Sequence, residues 1–176
     1  MIEILTKLFM SRLGEMSAQE RYRAIGAFFI GSPYEWGKEN PMGADCSGLI
    51  SGALMGAGFN IRITAEGFLR HVFTKVKTKF DPNLIQAVFF ITKKDYKTPD
   101  GIRPKGIARH VVLLVGDNVV INANSEKNII EYRALEDLVE IFDAENCYAL
   151  VRALDPKKAQ KMQGTMYGLD EELKIE

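Results

Sequence analysis

The chain changes character at Pro82. Before it, apolar residues recur with helical spacing; after it come short apolar runs separated by turn signals. Helices first and strands later confine the fold to the α+β class with an antiparallel sheet. Leu5, Leu8, Phe9 and Leu13 mark a first helix ending near Gly14. Ser17 and Glu20 form a capping box for a second helix running toward Ile30. Gly31 to Gly43 holds two prolines and three glycines and reads as a loop. A third helix begins near Cys46 and stops at Gly56 or Gly58, and Thr64 caps a fourth through Phe73.

Beyond Pro82, Ala87–Thr92 reads as a buried strand, followed by a polar loop over Lys93–Gly106. Val111–Val115 and Val119–Asn122 form a hairpin around Gly116-Asp117-Asn118. Ile129–Tyr132 and Tyr148–Ala153 are further strands, with a helix at Leu135–Phe142 between them. Residues 1–154 are expected to form one domain. The charged segment 155–176 lacks periodicity and is expected to be a tail, frayed or laid on the surface.

Composition excludes several classes of function. Lys and Arg total 23 and Asp and Glu total 23, so the molecule as a whole has no pull toward nucleic acid or an anionic membrane. A hydrophobic content of 47% supports a core without staples. Two cysteines are too few for a disulfide framework. The start, Met1-Ile2-Glu3, lacks the basic region of a secretory signal, and the most apolar stretch, Gly48–Phe59, is shorter than the roughly 20 residues a membrane helix needs. Synthesis and folding in a cytoplasm are the expectation, with release by lysis or with a virion.

One segment carries chemistry. A turn-rich loop delivers Cys46 to the first turn of a helix, flanked by Asp45 and Ser47. Unpaired N–H groups and the positive dipole end there favour an anion, so the thiol pKa is expected to be lowered. The same N–H groups can receive the oxyanion of an acyl-transfer intermediate. A free cysteine is more often an inert buried thiol, but polar flanks at a helix start are an odd setting for one. Cys147, ahead of the apolar run Tyr148–Val151, reads as structural.

The base must be His71 or His110, the only two histidines. His71 lies in the body of a short helix. His110 heads the strand His110–Val115, a rigid place from which an imidazole can face a helix-borne thiol. A third residue should hold the other ring nitrogen. With a three-residue turn at Gly116-Asp117-Asn118, strand parity puts His110, Val112, Asn122 and Asn124 on one face; a two-residue turn would move Asn122 to the other. Asn122 and Asn124 are the candidate orienters. No paired His or Cys-x-x-Cys spacing suggests a metal, and no cofactor is expected.

Pro33-Tyr34-Glu35-Trp36-Gly37 followed by Asp45-Cys46-Ser47-Gly48-Leu49-Ile50 resembles the nucleophile region of NlpC-type cell-wall endopeptidases, compact relatives of the papain-like cysteine peptidases. The likeness extends to Phe89-Phe90 and to His110-Val111 followed by Gly116. It implies N-terminal helices packed on a central antiparallel sheet, Cys46 as nucleophile, His110 as base and Asn122 as orienter. It further implies Tyr34 near the oxyanion and Asp45 and Ser47 as binders of a peptidoglycan stem peptide. Cleavage between D-γ-glutamyl and a diamino acid is the activity it suggests. The chain departs from the pattern at Lys38, at Ile85-Gln86 and in the basic loop Lys93–Lys105. The expected setting is a phage-type lysin or a tail-associated enzyme, with phage tail or lysis proteins as partners. Two alternatives stay open: another thiol amidase or acyltransferase on the same layout, and a non-catalytic module that binds wall peptides or assembles into a phage tail.

Overall fold

The computed structural model describes residues 1–99 and 101–166. Its centre is a six-stranded antiparallel sheet in the order β3-β10-β4-β7-β8-β9. These strands are β3 (Lys75–Val76), β4 (Gln86–Thr92), β7 (Ala108–Gly116), β8 (Val119–Asn124), β9 (Ile129–Ala134) and β10 (Cys147–Ala153). Two small hairpins stand apart from it: β1 (Glu39–Asn40) with β2 (Gly43–Ala44), and β5 (Tyr96–Thr98) with β6 (Gly101–Arg103). The helices are α1 (Ile2–Glu15), α2 (Ala18–Phe28), α3 (Cys46–Gly56), α4 (Ala65–His71), α5 (Leu135–Ala144) and α6 (Pro156–Lys161).

Alternation along the central strands divides the core in two. Phe89, Val111, Leu113 and Ile121 point into a large cluster with Leu49, Leu54 and Phe68 from the α3–α4 side. Val88, Phe90, Val112 and Val120 point the other way, onto Leu138 and Phe142 of α5. Every residue of β4 is buried because helices cover both faces of the sheet, which is why its sequence is apolar without alternation.

The helix starts follow local chemistry. Ser17 Oγ accepts the Glu20 N–H and the Glu20 carboxylate accepts the Ser17 N–H at 2.8 Å, the capping box foreseen above. Thr64 caps α4 as expected. In α3 eight consecutive residues, Ser47 to Leu54, are buried, so it is the central helix. Gly48 and Gly52 permit this: a Cβ at 48 would lie 1.8 Å from Lys38 O, and one at 52 would lie 2.4 Å from the Phe29 ring. The loop carrying Trp36 and Lys38 is thereby pressed onto the mouth of α3.

Several elements were not foreseen, among them the hairpin β1–β2 at the end of the loop that begins at Gly31. The polar loop over 93–106 contains the hairpin β5–β6. Lys75–Val76 adds a short edge strand to β10. Asp155 caps α6, whose Ala159 is fully buried, and the Arg62 N–H donates to Thr165 O at 2.9 Å; the tail as far as Met166 is docked against the domain. Residues 167–176 of that tail lie outside the described residues. Gln86, at one departure from the expected pattern, is buried with its side chain satisfied: Oε1 accepts the Asp81 N–H at 2.6 Å and Nε2 donates to Lys79 O at 2.9 Å.

Candidate active site

Asp45 organises the loop before α3. As N-cap, its Oδ1 accepts the Gly48 N–H at 2.6 Å, and its Oδ2 accepts the N–H of Gly37 at 2.7 Å. Gly37 has a φ of 76°, a conformation that glycine adopts without a steric penalty. Ser47 Oγ donates to Asp45 Oδ1 at 3.1 Å. Arg62, from the loop before α4, completes the cluster: its Nη2 lies 3.3 and 3.2 Å from the two Asp45 oxygens, and its Nη1 donates to Ser47 Oγ at 2.9 Å. Its Nε also donates to Glu39 Oε2 at 3.4 Å. Asp45 is 2% exposed and Ser47 4%. Their polar atoms are occupied internally, so the structure uses them to shape the loop and the helix mouth. Sequence reasoning missed Arg62, because its link to Asp45 belongs to no local motif.

His110 is aimed by two irregularities. Across β4 and β7, Phe90 pairs with His110 but Ile91 pairs with Ala108, leaving Arg109 as the extra residue of a bulge. Such bulges re-aim neighbouring side chains. The second irregularity lies in the β7–β8 turn. Gly116 pairs with Val119, a two-residue turn that by itself would place Asn122 on the wrong face, but a register shift between Leu114 and Gly116 restores the pairing of Leu113 with Ile121. His110 and Asn122 then share a face, and His110 Nε2 lies 2.7 Å from Asn122 Oδ1. The imidazole is stacked on Phe142 with centroids 5.0 Å apart. Asn124 is engaged elsewhere: its amide donates to Glu131 Oε1 at 3.0 Å and its Oδ1 accepts the Glu126 and Lys127 N–H groups. His71 is exposed at the end of α4, and Cys147 is buried at the start of β10.

Cys46 is the first residue of α3, half-buried and packed against the cluster that contains Val111, the residue after His110; the backbone groups of Val111 and Ser47 near its sulfur favour the thiolate. The expected lowering of its pKa does not occur. Burial, and next the Asp45 carboxylate, push the thiol up to about 12 against the smaller opposite effects of those backbone groups and Arg62. Burial likewise brings His110 down to about 4, outweighing the bond to Asn122. At neutral pH the groups therefore rest as a neutral thiol and a neutral imidazole. An Asn122 oxygen can only accept, so the ring proton sits on Nε2 and Nδ1 keeps its lone pair. Burial, followed by negative charge on Cys46 and Asp45, raises the Tyr34 phenol, which stays a hydrogen-bond donor. The Cys46 N–H, at the open end of α3, has no protein acceptor among the described residues. Trp36 stands 69% exposed on the same loop.

The His110 environment has a consequence for stability. In the unfolded chain His110 takes up its proton near pH 6.5, but in the folded chain only near 4. Between those values the unfolded state holds more protons, so the His110 contribution to stability is lost as pH falls through that window. Urea unfolding at pH 7 and 4.5 should show a steeper loss for the parent than for His110→Gln; equal losses would contradict the placement.

A family model described as the NlpC/P60 family matches residues 31–140, well over half of the chain. Solved structures with the same fold include an NlpC/P60 family protein from Bacillus cereus, with a TM-score of 0.56 and 19% identity over 75% of this chain. This chain covers only 39% of that longer one. The NlpC/p60 domain of the peptidoglycan hydrolase SagA aligns with a TM-score of 0.51 and 18% identity, over 78% of this chain and 97% of that domain. RipD from Mycobacterium tuberculosis, described as a non-catalytic NlpC/p60 domain protein adapted to peptidoglycan binding, gives 0.51 and 16% over the same shares, 78% and 97%. The helix-borne Cys46, the strand-borne His110 and the matched span over residues 31–140 converge on one assignment: this chain belongs to the NlpC/P60 family.

Proposed function

We propose that this domain is a cysteine endopeptidase that hydrolyses the peptide stems of peptidoglycan between D-γ-glutamyl and a diamino acid. The observation that carries the reading is the 2.7 Å bond between His110 Nε2 and Asn122 Oδ1, with the Cys46 sulfur against the adjoining Val111 backbone. That bond leaves Nδ1 as the free base. The intact Cys46, His110 and Asn122 set favours catalysis over a purely binding role.

In the proposed reaction the proton on Cys46 Sγ passes to His110 Nδ1 as the sulfur attacks the amide carbon. Negative charge on the former carbonyl oxygen is met by the Cys46 N–H and the Tyr34 hydroxyl. The imidazolium gives its proton to the leaving amine, the C–N bond breaks and a thioester remains. Water then attacks the thioester with His110 as base, releasing the carboxylate and restoring the thiol. Asn122 supplies orientation without charge, so the imidazolium exists only while substrate charge is developing beside it.

Mass analysis of fragments released from purified peptidoglycan tests the reading. The expected result is a new free amine on the diamino acid and a new D-glutamyl carboxylate. Cleavage in the glycan strand, or at the amide joining glycan to peptide, would contradict it.

A further inference from the structure

The inward stripe of α5 ends at an aromatic residue. Leu135, Leu138 and Phe142 recur at spacings of three and four, and all three pack onto the sheet face that carries Val88, Phe90 and Val112. Phe142, the last of them, meets a side chain of the candidate site. Its ring is tilted only 17° from the His110 imidazole, with centroids 5.0 Å apart, and only 23° from the Phe90 ring at 4.2 Å. Phe90 and His110 are partners across β4 and β7, with ring centroids 6.1 Å apart. Phe142 therefore lies across the pair, and the fully buried Phe90 beside the imidazole holds it there.

The same turn of helix is anchored on both strands. Glu145, three residues beyond Phe142, pairs at 3.1 Å with Arg109, the bulged residue before His110. Asp143 pairs with Lys93 just past β4, and Asn146 O accepts the Lys93 N–H at 2.7 Å. The imidazole needs such a support. Its bond to Asn122 holds one ring atom, Nε2, and rotation about the bond from Cβ to a planar ring has broad wells. One contact at one atom leaves the ring free to tilt about it. An aromatic face laid against the imidazole removes that freedom.

We propose that Phe142 is a positioning residue, which sets the plane of the His110 imidazole so that Nδ1 meets the Cys46 sulfur. The inference rests on the Cys46–His110 chemistry proposed above and adds the end of α5 to it. Phe142 has no proton to give or take, so its part is geometric. A proton passes from sulfur to nitrogen only along a narrow approach, and a tilted ring slows that passage while leaving the binding of substrate alone.

The test uses the full chain, muropeptides freed from purified walls by a muramidase, and iodoacetamide. Phe142→Leu keeps the apolar stripe of α5 and loses the flat ring. Its kcat should fall roughly 10–100-fold with KM near the parental value, and alkylation of Cys46 at neutral pH should slow by a comparable factor. In a His110→Ala background the same substitution should slow alkylation no further, because Phe142 acts only through the imidazole. Should Phe142→Leu fail to fold, Phe142→Met takes its place with the same expectation, since it fills the space with a flexible chain that offers no flat face. A folded variant whose Cys46 is alkylated at the parental rate would overturn the proposal, and so would a slowing that persists in full beside His110→Ala. His110→Ala alkylated as fast as the parent would overturn both the proposal and the pairing of Cys46 with His110. Alkylation is read whether or not peptide is cut, so a parent that cleaves no muropeptide counts against the peptidoglycan reading alone.

Discussion

Cys46→Ala is expected to lower peptidoglycan cleavage by roughly 10⁴-fold or more, to the level of uncatalysed background. The size of the effect follows from covalent chemistry: without the sulfur there is no thioester, and His110 alone has no nucleophile to activate. The fold should survive, because Cys46 is half-buried and its backbone place at the start of α3 is held by Asp45. Circular dichroism and thermal melting of the variant should therefore match the parent while release of peptide fragments vanishes. A Cys46→Ala protein that digests walls at the parental rate would move this chain to the non-catalytic side of its family.

Arg62→Leu is expected to cost about 3–5 kcal/mol of stability. The change removes the cation beside an Asp45 carboxylate that is 2% exposed, and a charge cannot be left in such a place without its partner. The Ser47 and Glu39 side chains lose a donor as well. Urea unfolding measures the loss directly. Combining Arg62→Leu with Asp45→Asn should recover part of it, because the second change removes the stranded charge; a cycle showing no coupling would contradict the network. A cost below about 1 kcal/mol for the single variant would mean that the Asp45–Arg62 pair behaves as a surface pair.

Much of this arrangement was legible because it rests on local rules. Ser17 and Glu20 announce α2, and Thr64 announces α4. Side-chain alternation correctly put His110 and Asn122 on one face, although the route differed: the turn has two residues and a bulge restores the parity. That bulge carries no sequence signature. Other features depend on what the chain brings together from afar. At Cys46 burial and the Asp45 carboxylate together outweigh the local field of the helix start. Arg62 meets Asp45 across a loop junction that no periodicity marks. The strands Tyr96–Thr98 and Gly101–Arg103 are three residues each, too short to carry an apolar alternation that can be read. For α6 the signs were present, Asp155 as cap and Pro156 in the first turn, but a helix of six residues has too few positions for a periodic pattern.

The central claim, that the sulfur of Cys46 performs the chemistry, is met most directly by titrating the protein with iodoacetamide and reading two quantities from each sample. One is the fraction of Cys46 alkylated, from peptide masses; the other is the residual rate of wall digestion. Cys147 is buried and should remain unmodified over the same exposure. The account predicts that activity falls in proportion to Cys46 alkylation and reaches zero at one group per molecule. Full alkylation of Cys46 with digestion undiminished would contradict it.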